Sequence, residues 1–313
     1  MRTNKAGAHW ASITSTAIAV FLVPVFAVAQ DAQPIPSPTY ADMRYGPHER
    51  HALDLWHAGT ASPSPLAVYF YGGGFRRGSK DLSETEFREV GLHELLDAGI
   101  SVASVNYRLL QQAPFPAAFE DAADALQFLR SKAEEFGIDK NRVVAFGTSS
   151  GAQLAMWLAF HDETGDANAV DPVDRESTRV LAVGNIRGQT TNDPELWLQW
   201  LPKFESPDPT QRWIGFGDDP EERRRLFEYI SAESNLSADD PPIFMTYNMT
   251  PDDPVPSNGP EEPWGWRTHH VNFGVKLKER ADEVGVEAHL TYPGTESSYS
   301  SVQDFLRAKL LDN

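Results

Sequence analysis

Cysteine is absent from the 313 residues. That excludes disulfides, thiolate metal sites and a lipid-anchoring cysteine, so stability has to come from the apolar core. A basic surplus is absent as well: 27 Lys and Arg stand against 45 Asp and Glu, a net charge of −18. Nucleic acid and anionic membranes both require a basic face, so neither is expected as a partner. There is no internal repeat. What the chain does have is apolar material, 41% hydrophobic with eight Trp and seventeen Phe. That suffices for a sizeable core and excludes a disordered chain. The length fits one large α/β domain as readily as two small ones.

The N-terminus has a character of its own. Arg2 and Lys5 precede an apolar run over residues 13–28, broken by Pro24, and Ala27-Val28-Ala29 supplies the small-x-small pattern of a signal peptidase site. Residues 1–29 therefore predict a cleaved signal peptide, with Gln30 as the new N-terminus and a periplasmic or secreted product free of the membrane. An uncleaved anchor is the alternative, and the run is short for a span. Residues 30–44, rich in Pro and Ser over 33–39, read as a flexible segment ahead of a domain at 45–313.

Within that domain short β-rich runs alternate with helical runs. Strands are predicted at 53–56, 66–71, 101–107, 142–146, 180–185, 242–248 and 287–292. Helices are predicted at 84–98, 117–136, 150–160, 272–283 and 301–311. Such alternation specifies an α/β fold with a mainly parallel, doubly wound sheet covered on both faces. Residues 186–240 break the rhythm with Asp-Pro and Ser-Pro punctuation and the aromatics Trp197, Trp200, Phe204, Trp213 and Phe216. They read as an insertion able to form a cap.

Two glycine motifs lie at strand ends. Gly147-Thr148-Ser149-Ser150-Gly151 joins the strand at 142–146 to the helix at 150–160. A strand-to-helix turn that sharp strains its central residue and leaves no room for side chains two positions either side. Ser149 would then stand clear of the turn as a nucleophile, with the helix N-terminus favouring negative charge beside it. An ordinary turn of small residues is the bland alternative. Tyr71-Gly72-Gly73-Gly74-Phe75 closes the strand at 66–71. The backbone N–H groups of Gly73, Gly74 and Ser150 would together build an oxyanion hole.

With Asn106-Tyr107-Arg108-Leu109 and residues 115–121 (Phe-Pro-Ala-Ala-Phe-Glu-Asp), these motifs occur in an order and spacing that resembles the α/β-hydrolase superfamily. The resemblance covers about residues 45–313. It is strongest to the hormone-sensitive-lipase-like and feruloyl-esterase-like (BD-FAE) carboxylesterases. It implies an α/β-hydrolase fold and ester hydrolysis without a cofactor. Tyr71 stands where the family usually opens its Gly run with His, and Ser150 where it usually has Ala.

The resemblance also implies an acid after the next-to-last strand and a base after the last. The family spacing before Val255-Pro256 fits Asp252, with Asp253 as fallback; a solvated acidic turn is the bland alternative. The base should fall on Ser297, and serine cannot serve as one near neutral pH. Among the other histidines, His161 lies about 18 Å along its helix from Ser149, and His289 roughly 10 Å below the strand end. His93 is mid-helix, and His48, His51 and His57 belong to N-terminal strands. His270 is the expected substitute and His269 the second choice, in a loop at the carboxyl edge of the sheet. A rim pair without a catalytic role is the competing reading, and a metal site has no helical His spacing to support it.

The expectation is a serine carboxylesterase of small or polysaccharide-borne esters, with Ser149, His270 and Asp252 as its triad. The Trp-rich segment 197–216, with Trp264 and Trp266, would wall a pocket or pack a cap. The alternative is a degenerate hydrolase that binds a ligand or partner without turnover.

Overall fold

β3 (Ser64–Phe70) is buried at every position, as is β4 (Ser101–Val105). Strands this apolar are covered on both faces, and that requires helices above and below the sheet. The computed structural model describes residue 1 and residues 34–201, 215–256 and 262–311, the side chains of 262–264 excepted. The expected signal peptide, Met1 apart, lies outside the described residues. The chain divides into two units, Met1–Pro34 and Ile35–Asn313, and the whole sheet belongs to the second.

The remaining strands are β1 (Tyr40–Arg44), β2 (Ala52–Trp56), β5 (Ile138–Thr148), β6 (Val183–Ile186), β7 (Ile243–Thr246) and β8 (Ala288–Thr291). They form one eight-stranded sheet in the order β1-β2-β4-β3-β5-β6-β7-β8. β1 and β2 are antiparallel to their neighbours, and every pairing from β4 through β8 is parallel. The order reverses around β3, which lies between β4 and β5. A crevice opens at the carboxyl ends of strands at such a switch point. Phe70 pairs with Gly147 in register, so the loop leaving β3 and the loop leaving β5 emerge side by side there.

The helix Ser150–Phe160 is buried at all eleven positions. It is apolar around most of its circumference, as a helix enclosed by protein must be, and packs against β5 and β6. Each of its large side chains, such as Leu154 and Leu158, contributes about 1.5–3 kcal/mol by leaving water. Asp121, fully buried, fixes the loop after β4: it accepts from the Arg108 guanidinium at 2.6 Å and from the Arg108 backbone N–H at 2.6 Å, and lies 3.1 Å from His51 Nε2.

Three expectations need correction, one being the helix expected over 117–136, which is two, Ala117–Ser131 and Ala133–Phe136. Residues 40–44 are no flexible leader, because they pair with β2 as an edge strand. The helix expected over 84–98 is two, Glu84–Glu89 and Leu92–Asp97. Between them Gly91 adopts φ +66°, and a Cβ there would lie 2.6 Å from Gln303 Cγ. Of the 186–240 insertion, the described part forms helices Pro194–Trp200, Pro220–Ile230 and Ala232–Asn235. Its described aromatics pack against protein: Trp197 meets Phe273 edge-on at 5.0 Å, and Phe216 lies 4.7 Å from Phe115 and 4.6 Å from Phe227. Phe204 and Trp213 lie outside the described residues.

Candidate active site

β5 ends in the turn that carries Ser149, whose φ of +54° and ψ of −118° fall outside the usual regions for an L-residue. The glycines around it have separate steric reasons. A Cβ on Gly147 would lie 2.4 Å from the Gly151 carbonyl group, and one on Gly151 would lie 2.0 Å from the Phe70 carbonyl oxygen. The turn thus closes on itself and against β3. The Ser149 N–H donates to the Ile186 carbonyl at 2.9 Å, tying the elbow to the end of β6. Strain of this kind persists only where such surroundings over-determine it.

Ser149 Oγ lies 2.9 Å from His269 Nε2. His269 follows the short helix Glu262–Thr268, and its backbone N–H donates to the Gly265 carbonyl at 3.1 Å. Burial first, and the nearby Arg187 guanidinium second, lower its pKa below the usual imidazole value of 6.5. A neutral ring with its proton on Nδ1 presents Nε2 as an acceptor to the Ser149 hydroxyl.

The expected order of the two histidines is therefore reversed. His270 turns into the protein: it is fully buried, its Nδ1 accepts from the Asn272 N–H at 3.1 Å, and its ring meets Trp266 edge-on at 4.6 Å. It closes the first turn of the helix Asn272–Val284, whose leading N–H groups lack intrahelical partners. Its Nε2 is buried without a partner among the described residues. Burial pushes its pKa down to about 4, against the opposing charge of Asp253.

The acid is also corrected. Asp252 is exposed in the turn after β7 and has no hydrogen-bond partner among the described residues. Asp253 accepts from Thr250 Oγ1 at 2.7 Å. Among the described residues neither carboxylate hydrogen-bonds to His269, and within them Ser149 and His269 stand as a hydrogen-bonded dyad. An acid suited to a base after the last strand need not face one that arises from its own loop. Ser297 is exposed, and its hydroxyl accepts from the Tyr299 N–H at 3.3 Å.

The loop leaving β3 lies against the elbow as expected. A Cβ on Gly72 would sit 3.4 Å from Ser149 Cβ and 3.0 Å from the Thr148 carbonyl oxygen. Gly73 and Gly74 take φ of +134° and +63°. The Gly74 N–H, however, donates to Ser150 Oγ at 3.0 Å. Ser150 therefore occupies one of the donors expected for an oxyanion, a consequence of its hydroxyl that the usual alanine would not have. The Ser150 N–H opens its helix, where no intrahelical acceptor exists.

Sequence reasoning missed the residues that hold His269 in place. Gln153 Nε2 donates to Gln189 Oε1 at 2.5 Å, Gln189 Nε2 donates to the Thr268 carbonyl, and Asn192 Nδ2 donates to Gln153 Oε1 at 2.8 Å. This amide relay links the elbow helix to the histidine loop. The available signal was Gln153 itself, the one amide in the otherwise apolar stretch 152–160. Beside the dyad lies a cavity of about 330 Å³ lined by Arg187, Asn248, Met249, Trp266 and His269 among others. Among the described residues no group of three or more His, Cys, Asp or Glu is arranged to hold a metal.

A model of the BD-FAE family matches residues 53–261. Curated relatives include the ethyl acetate hydrolase of Pseudomonas putida, 41% identical over 92 residues, and Esterase LipI of Mycobacterium tuberculosis, 34% identical over 96 residues. These matches cover 29% and 31% of this chain and 28% and 29% of those proteins, so they span less than a third of either partner. Among solved structures, a truncated carbohydrate esterase from gut microbiota is 21% identical with a TM-score of 0.65, covering 86% of this chain and 95% of that one. An acetyl ester-xyloside bifunctional hydrolase from Caldicellulosiruptor lactoaceticus is 22% identical with a TM-score of 0.55, covering 77% and 76%. At these identities the structures establish the α/β-hydrolase fold.

Proposed function

Since the chain belongs to the BD-FAE family, we propose that it is a serine carboxylesterase working with a Ser149–His269 dyad. The observation that carries this reading is the 2.9 Å approach of His269 Nε2 to Ser149 Oγ on a strained strand-to-helix turn. A scaffold that only bound a ligand would have no use for an imidazole on that hydroxyl. The relatives named as esterases support the same reaction.

Ser149 Oγ attacks the ester carbonyl as its proton passes to His269 Nε2. The N–H groups of Gly73 and Ser150, at the positive end of the helix, face the developing oxyanion. His269 then protonates the departing alcohol, and a water activated by the same ring hydrolyses the acyl-serine. Among the described residues no carboxylate steadies the imidazolium, and in a serine triad exchanging the acid for its amide costs about 10⁴ in kcat. Turnover of simple neutral esters is accordingly expected to be slow. Likeness to a carbohydrate esterase and to an acetyl ester-xyloside hydrolase supports esters borne on sugars. The reading includes export, on the leader pattern of residues 1–29, with a soluble product starting near Gln30. Among the described residues no helix is long and apolar enough to cross a membrane.

A panel of short-chain 4-nitrophenyl and acetylated-sugar esters tests the activity. Wild type should hydrolyse at least one class and Ser149→Ala none. Equal rates for the two proteins would refute the assignment.

A further inference from the structure

Arg187 follows directly on Ile186, whose carbonyl accepts the Ser149 N–H. It therefore stands on the same sheet edge as Ser149, one strand across. Its side chain is half-buried and lines the 330 Å³ cavity together with Trp266 and His269. Among the described residues, nothing accepts a hydrogen bond from its guanidinium. Other sheltered cations here do have acceptors. Lys80 is held by Asp42, Asp54 and Asp81, Arg108 by Asp121, and Arg179 by Asp239 and Asp240. Arg130 donates to the carbonyls of Ser177 and Arg179. In a chain with 45 acidic side chains, an unmatched guanidinium inside a cleft is conspicuous. Its backbone φ is +56°, a region costly for a residue with a Cβ and characteristic of positions held for a ligand.

We propose that Arg187 recognises a carboxylate on the substrate, so that the preferred ester is one whose acyl or alcohol part carries a free carboxylate. This deepens the esterase reading and rests on it for the reaction, though not for the binding. The planar guanidinium fork matches a carboxylate bidentately, and the half-buried setting of the Arg187 side chain strengthens that pairing relative to open water. A carboxylate bound there would also lie near His269. It would supply a negative charge that no acid among the described residues supplies, and would offset the guanidinium that disfavours the imidazolium. The substrate carboxylate keeps its charge throughout: the Ser149 proton goes to His269 and then to the leaving alcohol.

The test uses the full chain and matched ester pairs. Mono-4-nitrophenyl glutarate against 4-nitrophenyl valerate probes the acyl side, and acetylated glucuronic acid against acetylated glucose probes the alcohol side. The kcat/KM ratio of anionic to neutral ester is measured for wild type, Arg187→Gln and Arg187→Lys. The ratio cancels any general effect of a substitution on the site. It should fall about tenfold to a hundredfold in Arg187→Gln in one of the two arms, with Arg187→Lys in between. Calorimetric binding of glutarate and of glucuronate to wild type and Arg187→Gln gives a readout independent of turnover. If wild type hydrolyses nothing, the esterase reading fails, while Arg187-dependent binding of either acid upholds the anion site. Ratios unchanged by Arg187→Gln in both arms, or binding of both acids that is absent or indifferent to Arg187, would overturn it.

Discussion

Replacing each of the two neighbouring histidines should separate chemistry from stability. His269→Ala removes the imidazole 2.9 Å from the Ser149 hydroxyl. Loss of a general base costs about 10²–10⁴ in rate, or roughly 2.7–5.4 kcal/mol at about 1.36 kcal/mol per decade. The double variant with Ser149→Ala should be no worse than the single, because the pair acts as one unit. His270→Phe keeps a ring against Trp266 but removes the acceptor of the Asn272 N–H, a cap worth about 1 kcal/mol. It also removes the unpaired buried Nε2, whose burial costs about 1–3 kcal/mol. These terms oppose each other, so the variant should stay within about 1–2 kcal/mol of wild type and keep its esterase activity. The pH dependences differ in the same way. A base works only when neutral, so kcat/KM should hold above the His269 pKa and fall as pH drops through it. That limb should lie below the usual 6.5, since burial and Arg187 both lower the value. His270, pushed down to about 4, is protonated in the unfolded chain first. It contributes stability that is complete above about pH 6.5 and is lost as pH falls toward 4, on the order of 3 kcal/mol by proton linkage. Steady-state kinetics from pH 4.5 to 8, with denaturant melts at pH 7 and 4.5, measure both. A general-base-sized rate loss in His270→Phe, or none in His269→Ala, would refute the assignment.

Ser150→Ala should release the Gly74 N–H and raise kcat, the ceiling being the roughly 10²–10³ that one oxyanion donor is worth; a fall in kcat would mean that the hydroxyl is needed to position the loop. Gly151→Ala should abolish folding or cost about 3 kcal/mol or more, because its Cβ would sit 2.0 Å from the Phe70 carbonyl oxygen. Melting close to wild type would contradict the steric account. Asp121→Asn should destabilise by about 3–5 kcal/mol, as breaking one side of a buried ion pair does, since Asp121 is the fully buried partner of Arg108 and His51. Denaturant unfolding at pH 7 measures it, and a loss below 1 kcal/mol would contradict it.

The sequence alone determined the parts that local chemistry specifies. Helix and strand periodicities predicted the α/β alternation, and steric demand at Gly147, Gly151 and the run 72–74 marked the two turns that meet at the switch point. Residues 40–44 escaped it because pairing of an edge strand depends on a distant partner, here β2, and not on the strand's own pattern. Only the tertiary structure decided which histidine lies against the Ser149 hydroxyl. His269 and His270 are adjacent and chemically identical. The turn after helix Glu262–Thr268 sends one ring to the nucleophile and the other under the next helix. The acid followed the same logic: Asp252 has the family spacing, but a carboxylate supports a base only within hydrogen-bond reach, and His269 comes from the same connection after β7 instead of from the loop after β8. Arg187 left no trace in the sequence, because a lone arginine after a strand is common. Its meaning comes from β6 lying beside β5, which places at the edge of the cleft a guanidinium with no acceptor among the described residues.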